Sequence, residues 1–151
     1  MSTKVKPIKR GLIEPRLHSP YLKGKSRIDE VAALAEQIGM PLLPWQHFVL
    51  EDMLRIDAAG QFIKKTNLVL CARQNGKTHL ARMRILAGMF LFDEKKILIM
   101  SSNRAMALST FREVAYAIEG SPELKKQIKA IRYANGTESI ELLNGARLDV
   151  V

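Results

Sequence analysis

Residues 67–72, reading NLVLCA, form a short apolar run that opens directly into Arg73-Gln74-Asn75-Gly76-Lys77-Thr78. A run of this kind suits a strand buried on both faces of a parallel sheet. The next stretch, THLARMRILAGMF (78–90), carries Leu80, Met83, Ala87 and Phe90 at helical spacing. The alternative reading of Asn75-Gly76 as a hairpin turn fails, because residues 78–90 have helical rather than alternating periodicity. Strand, glycine-containing loop and amphipathic helix in immediate succession restrict the chain to α/β architectures.

The flanking sequence extends the same pattern. KILIMSS (96–102) reads as a second buried strand and residues 105–119 as a long helix. A short helix follows Ser121-Pro122, with proline at a tolerated first-turn position. Upstream, Ser26 is expected to cap a helix, with Asp29 completing a capping box. That helix runs through DEVAALAEQIG to a left-handed Gly39. The prolines of MPLLP enforce an extended linker. WQHFVLEDMLRI then reads as a helix carrying Phe48, Leu50, Met53, Leu54 and Ile56 inward, ended by Gly60. The expected fold is α/β: a P-loop NTPase-type parallel sheet flanked by helices, incomplete, with a C-terminal β-hairpin.

The hairpin is SIELLNGARLDVV (139–151). A two-residue loop at Asn144-Gly145 would mix its faces. A three-residue loop, Leu143-Asn144-Gly145 with Gly145 left-handed, pairs Ile140 with Leu148 and Leu142 with Ala146, and sets Glu141 against Arg147. The second register is predicted.

Net charge is +9, and most of it sits at one end. Residues 1–28 hold eight Lys/Arg against one acid, Glu14. They are read as a basic, disordered arm suited to phosphate backbones or anionic surfaces, ahead of a body at 29–151. The longest apolar run, residues 85–92, is too short to span a bilayer. The single cysteine, Cys71, excludes an internal disulfide and is expected to be a buried, inert thiol at a strand end. His18, His47 and His79 lack metal-ligand spacing.

The loop CARQNGKT keeps Gly76-Lys77-Thr78 of the phosphate-binding pattern and replaces its first glycine by Cys71. Successive backbone N–H groups can still curl around phosphates and feed a helix N-terminus whose dipole favours anions. Asn75 and Gly76 are the residues expected to supply left-handed geometry. Lys77 would offer a point charge to the β- and γ-phosphates, and the Thr78 hydroxyl would hold Mg²⁺. Ala72, Arg73, Gln74 and Asn75 complete the loop. Arg73 either stabilises charge at the γ-phosphate or pairs with a carboxylate at the rim. Gln46, in PWQ about thirty residues upstream, either reads an adenine edge or is a surface glutamine. Trp45 reads as core.

Taken together, LLPWQHFVLEDML, LVLCARQNGKTHLARM and ILIMSSNRAMALSTFREV resemble the large terminase subunit of tailed bacteriophages over residues 29–151. Three motifs occur in that family's order. The resemblance implies an ATP- and Mg²⁺-dependent motor that drives double-stranded DNA into a capsid. It implies that Gln46 contacts adenine, that Lys77 and Thr78 bind phosphate and Mg²⁺, and that Arg73 senses the γ-phosphate. It assigns Ser101-Ser102-Asn103 to coupling between nucleotide and DNA. Implied partners are the capsid portal, the small terminase subunit and further copies in a ring, and the implied location is the cytoplasm of the infected host. The family's Walker B strand, four apolar residues ending in Asp and then a catalytic Glu, has no match: ARLDVV places polar Arg147 before Asp149. The sequence is therefore read as an N-terminal piece of a longer motor, expected to bind nucleotide weakly with little turnover. A fragment of a helicase-type ATPase and a non-catalytic DNA-binding or assembly module are the alternatives.

Overall fold

The computed structural model describes residues 11–151, so the first ten residues of the basic segment lie outside the described residues. The remainder of that segment ends on the body. Strand β1 (Lys25–Ser26) pairs antiparallel with β2 (Arg55–Ile56), and Tyr21 stands edge-on to Phe48 with ring centres 5.4 Å apart.

Helix α1 (Ile28–Gln37) buries Ile28, Val31, Leu34 and Ala35, the single stripe expected of an amphipathic helix. Its start differs from the capping box expected at Ser26 and Asp29. Arg27 occupies the cap position with no side-chain cap bond. The Ser26 hydroxyl instead accepts from Ile28 N at 3.3 Å and donates to the Glu51 carbonyl at 2.7 Å, tying the turn to the next helix. Its end is as expected. Gly39 has φ 69°, and Gly39 N and Met40 N donate to the carbonyls of Glu36 and Ala35, the two bonds of a Schellman closure.

Helix α2 (Pro44–Met53) stops earlier than the pattern predicts. Arg55 and Ile56 leave it to form β2, where the Arg55 guanidinium donates to the Gly24 carbonyl at 2.7 Å. The carboxylate of Asp57 then accepts from Ala59 N and Gln61 N and turns the chain back. Strand pairing and this turn take over from helical periodicity at Ile56.

The run at 67–72 is the largest departure. It is not a strand, and Leu68 and Leu70 are 82% and 85% exposed. Among the described residues no strand pairs with it, and an apolar run without ladder partners gains nothing from strand geometry. Cys71 is half-buried rather than enclosed.

Helix α3 (Lys77–Phe90) buries Leu80, Met83 and Ala87 of the predicted stripe and adds Leu86 and Met89, while Phe90 is only partly buried. Strand β3 (Lys96–Ile99), helix α4 (Arg104–Glu119), helix α5 (Pro122–Lys125) and strands β4 (Ile128–Arg132), β5 (Ser139–Leu142) and β6 (Arg147–Val150) complete the chain. The sheet order β3-β6-β5-β4 makes it mixed: β3 and β6 are parallel, and the other pairs are antiparallel. The expected parallel sheet is thus reduced to the single β3–β6 pair, and the expected C-terminal hairpin, β5–β6, belongs to the same sheet rather than standing beside it. β3 is a terminal strand with Leu98 49% exposed, so it is not buried on both faces.

The hairpin register matches the prediction, with Ile140 opposite Leu148, Glu141 opposite Arg147, and Leu142 N donating to the Ala146 carbonyl at 2.9 Å. Gly145 takes φ 87°. The facing charges do not pair with each other: Glu141 takes Lys129 at 2.7 Å and Arg147 takes Asp149 at 2.7 Å. Ile140, Leu142, Leu148 and Val150 are buried, while the paired charges occupy the other face. That alternation is the signature of an antiparallel sheet covered on one side. Helices α3 and α4 pack on β3, and α4 also reaches β6.

Candidate functional site

The loop between residue 72 and α3 is curled rather than straight. Gln74 and Gly76 have φ of 61° and 85°. The second left-handed residue is Gln74, not Asn75. The Asn75 amide is used otherwise, reaching back to the carbonyls of Ala72 at 3.3 Å and Arg73 at 3.4 Å, so that it staples the curl from within. Lys77 folds over the same loop, its ammonium donating to the carbonyls of Cys71 and Ala72. Ala72, Arg73, Gln74 and Asn75 are exposed along its rim. Arg73 forms no ion pair among the described residues, so the rim-carboxylate reading of it has no partner there.

Gly76 is the N-cap of α3, and no side chain caps the helix. Its first turn, Lys77-Thr78-His79-Leu80, holds no acid. The first N–H groups of a helix have no partner within it and carry a partial positive charge. Here those donors and the Lys77 ammonium share one end of a helix whose own first turn has no carboxylate; the nearby Glu113 of α4 is paired with Arg82 at 3.4 Å. Thr78 stands at the lip of an open depression of about 230 Å³, lined also by Ile99, Met100, Ser101, Met106 and Glu113. Of the predicted Ser101-Ser102-Asn103 turn, Ser101 lines the same depression as Thr78. Asn103 caps α4, its side-chain oxygen accepting from Ala105 N at 2.7 Å.

Gln46 is neither at the surface nor open toward the depression; it is 0% exposed. As the third residue of α2, its Oε1 accepts from Leu43 N at 2.8 Å. Its Nε2 donates to the Gly76 carbonyl at 2.9 Å. Only this orientation of the amide satisfies both partners. A Cβ at Gly76 would stand 2.6 Å from Gln46 Nε2, so the loop needs glycine there for space as well as for its backbone. Trp45 packs against the core, as read from the sequence.

A second bridge joins the linker to α3. His79 Nε2 donates to the Pro41 carbonyl at 3.3 Å, while His79 Nδ1 accepts from Arg82 at 3.0 Å. Burial, then the neighbouring Arg82, hold the imidazole below its ordinary pKa, consistent with a neutral ring accepting at Nδ1. Arg82 continues to Glu113 at 3.4 Å on α4. Sequence reasoning missed this chain, and no local signal would have revealed it, because its members meet only through tertiary packing. The sequence-predicted site residues that the fold brings together are Gln46, Gly76, Lys77 and Thr78, with Arg73, Gln74 and Asn75 on the rim.

Among the described residues no helix is long and apolar enough to cross a membrane. Comparison with protein-family models found no match, and neither did comparison with curated proteins or with solved structures.

Proposed function

We propose that residues 72–78 form a P-loop that binds the triphosphate of ATP. Lys77 would contact the β- and γ-phosphates, Thr78 would hold the Mg²⁺ that accompanies the nucleotide, and Arg73 would reach the γ-phosphate. The observation that carries this reading is the curl itself: two left-handed residues, a lysine turned over the loop, and an uncapped, acid-free helix start in one place. Backbone donors and dipole at such a start favour an anion. A triphosphate would exchange the lysine's carbonyl contacts for charged oxygens, which are stronger partners.

At the level of the whole protein, we read the chain as the ATP-binding part of a viral DNA-packaging motor acting on double-stranded DNA. Support for that finer reading comes from the three motifs shared with large terminase subunits. Portal, small subunit, ring assembly and host cytoplasm belong to it. Asp149 pairs with Arg147 at 2.7 Å. Nucleotide binding with little hydrolysis is the chemistry proposed for these residues, on the ground that ARLDVV does not match the Walker B pattern.

Calorimetric titration of Mg²⁺-ATP into the wild type and Lys77→Ala tests the pocket. Saturable binding that Lys77→Ala weakens by about tenfold or more is expected, as for a charged hydrogen bond lost. Identical heats for the two proteins would refute the phosphate-loop assignment, and rapid phosphate release by the wild type would refute the expectation of low turnover.

A further inference from the structure

We propose that Gln46 is a positioning residue for the phosphate loop, aiming its backbone donors at the triphosphate rather than selecting the base. The inference rests on the phosphate-loop reading and deepens it.

One peptide unit transmits the effect. In a trans peptide the C=O and N–H point in opposite directions. Fixing the Gly76 carbonyl therefore fixes the Lys77 N–H, the first unpartnered donor of α3. Two groups fix that carbonyl: Leu80 N, at 3.1 Å along the helix, and Gln46 Nε2, at 2.9 Å from outside it. Together they fix the direction of the carbonyl, and with it the direction of the Lys77 N–H on the opposite side of the same peptide plane. Gln46 is itself immobilised, because its other amide atom caps α2 through Leu43 N and the whole side chain is enclosed.

The linker that carries Leu43 is held from its other end by His79, through the Pro41 carbonyl. A closed circuit results: Gly76 to Gln46, Gln46 to Leu43, the linker back to Pro41, and Pro41 to His79, three residues along from Gly76. A base would reach Gln46 only by displacing one of these neighbours. The phosphates feel it through Gly76 without touching it.

The two roles separate by ligand. With Mg²⁺ present, titrate ATP, GTP and inorganic tripolyphosphate into the full chain and into Gln46→Glu, which keeps the acceptor for Leu43 N and removes the donor to Gly76. Positioning predicts that affinity for all three falls by a similar factor, about tenfold, in a variant that still unfolds cooperatively. Loss confined to ATP would overturn the proposal in favour of base recognition, as would no loss at all, or a wild type that binds ATP but not tripolyphosphate. If Gln46→Glu does not fold, Gln46→Met, which replaces the buried side chain with an apolar one and removes both bonds, carries the same test. Failure of both to fold would make the contact a support of the whole fold and overturn the assignment. A wild type that binds none of the three ligands would instead remove the phosphate-loop reading itself.

Discussion

The C-terminal hairpin and the segment leading into the phosphate loop are both rich in apolar residues, and they end in opposite situations. In the hairpin, Ile140 and Leu148 face each other inside the sheet, both fully buried. In the loop's approach, Leu68 and Leu70 stand almost entirely in solvent. Composition does not separate the two; partners do. A hairpin brings its own partner strand within a few residues, whereas a strand of the parallel type depends on chain that is distant in sequence. The same contrast appears in the glycines. Gly145 and Gly76 share nearly the same φ, 87° and 85°, but open space surrounds the first and the Gln46 amide presses on the second.

The largest effect should come from the buried side of this comparison. Leu148→Ala should cost about 2–5 kcal/mol in urea unfolding, while Leu70→Ala should change stability by no more than about 0.5 kcal/mol. Similar losses at both positions would mean that residues 67–72 are packed in solution, and the contrast would fail. Next come the glycines. Each change to alanine places a Cβ in left-handed backbone, at about 1–2 kcal/mol. Gly145→Ala should cost that much and leave nucleotide binding intact. Gly76→Ala should cost more and abolish binding, since its Cβ collides with Gln46. Equal behaviour of the two variants would show that Gln46 is not braced against the loop.

The smallest effect concerns the half-exposed pair of Arg27 and Glu30, 2.6 Å apart at the start of α1. The hydrogen bond from Arg27, more than simple charge attraction, holds the Glu30 carboxyl below its ordinary pKa. Its contribution is thus present above the usual glutamate range and lost as pH falls through the lowered value. Glu30→Gln should cost less than about 1 kcal/mol at pH 7, a deficit that shrinks toward pH 3. A deficit that is constant with pH would show that the charge is not what matters.

Legibility in the sequence obeys the same division between local and distant partners. The hairpin register came from side-chain alternation and one left-handed glycine, and the Schellman end of α1 from Gly39; both are settled within a few residues. The curl before Lys77 was legible as a loop, but not which residue would be left-handed. Strand β4 was not legible because Lys129 and Arg132 interrupt its apolar pattern, as cations do on edge strands. Nor does any local pattern announce that Lys64 bonds Asp52 and the Ser19 hydroxyl, residues remote in sequence. At the candidate site, the residue types were visible while the Gln46–Gly76 and His79–Pro41 contacts were not, since each spans thirty or more positions.

The most direct test is a residue-resolved one. In ¹H–¹⁵N spectra of the full chain, Mg²⁺-ATP should shift the backbone amides of Gly76, Lys77 and Thr78 more than any amide of the hairpin, and Lys77→Ala should suppress that shift. Loop amides that stay still while ATP binds elsewhere, or that move equally without the lysine, would contradict the claim that this curl encloses a triphosphate.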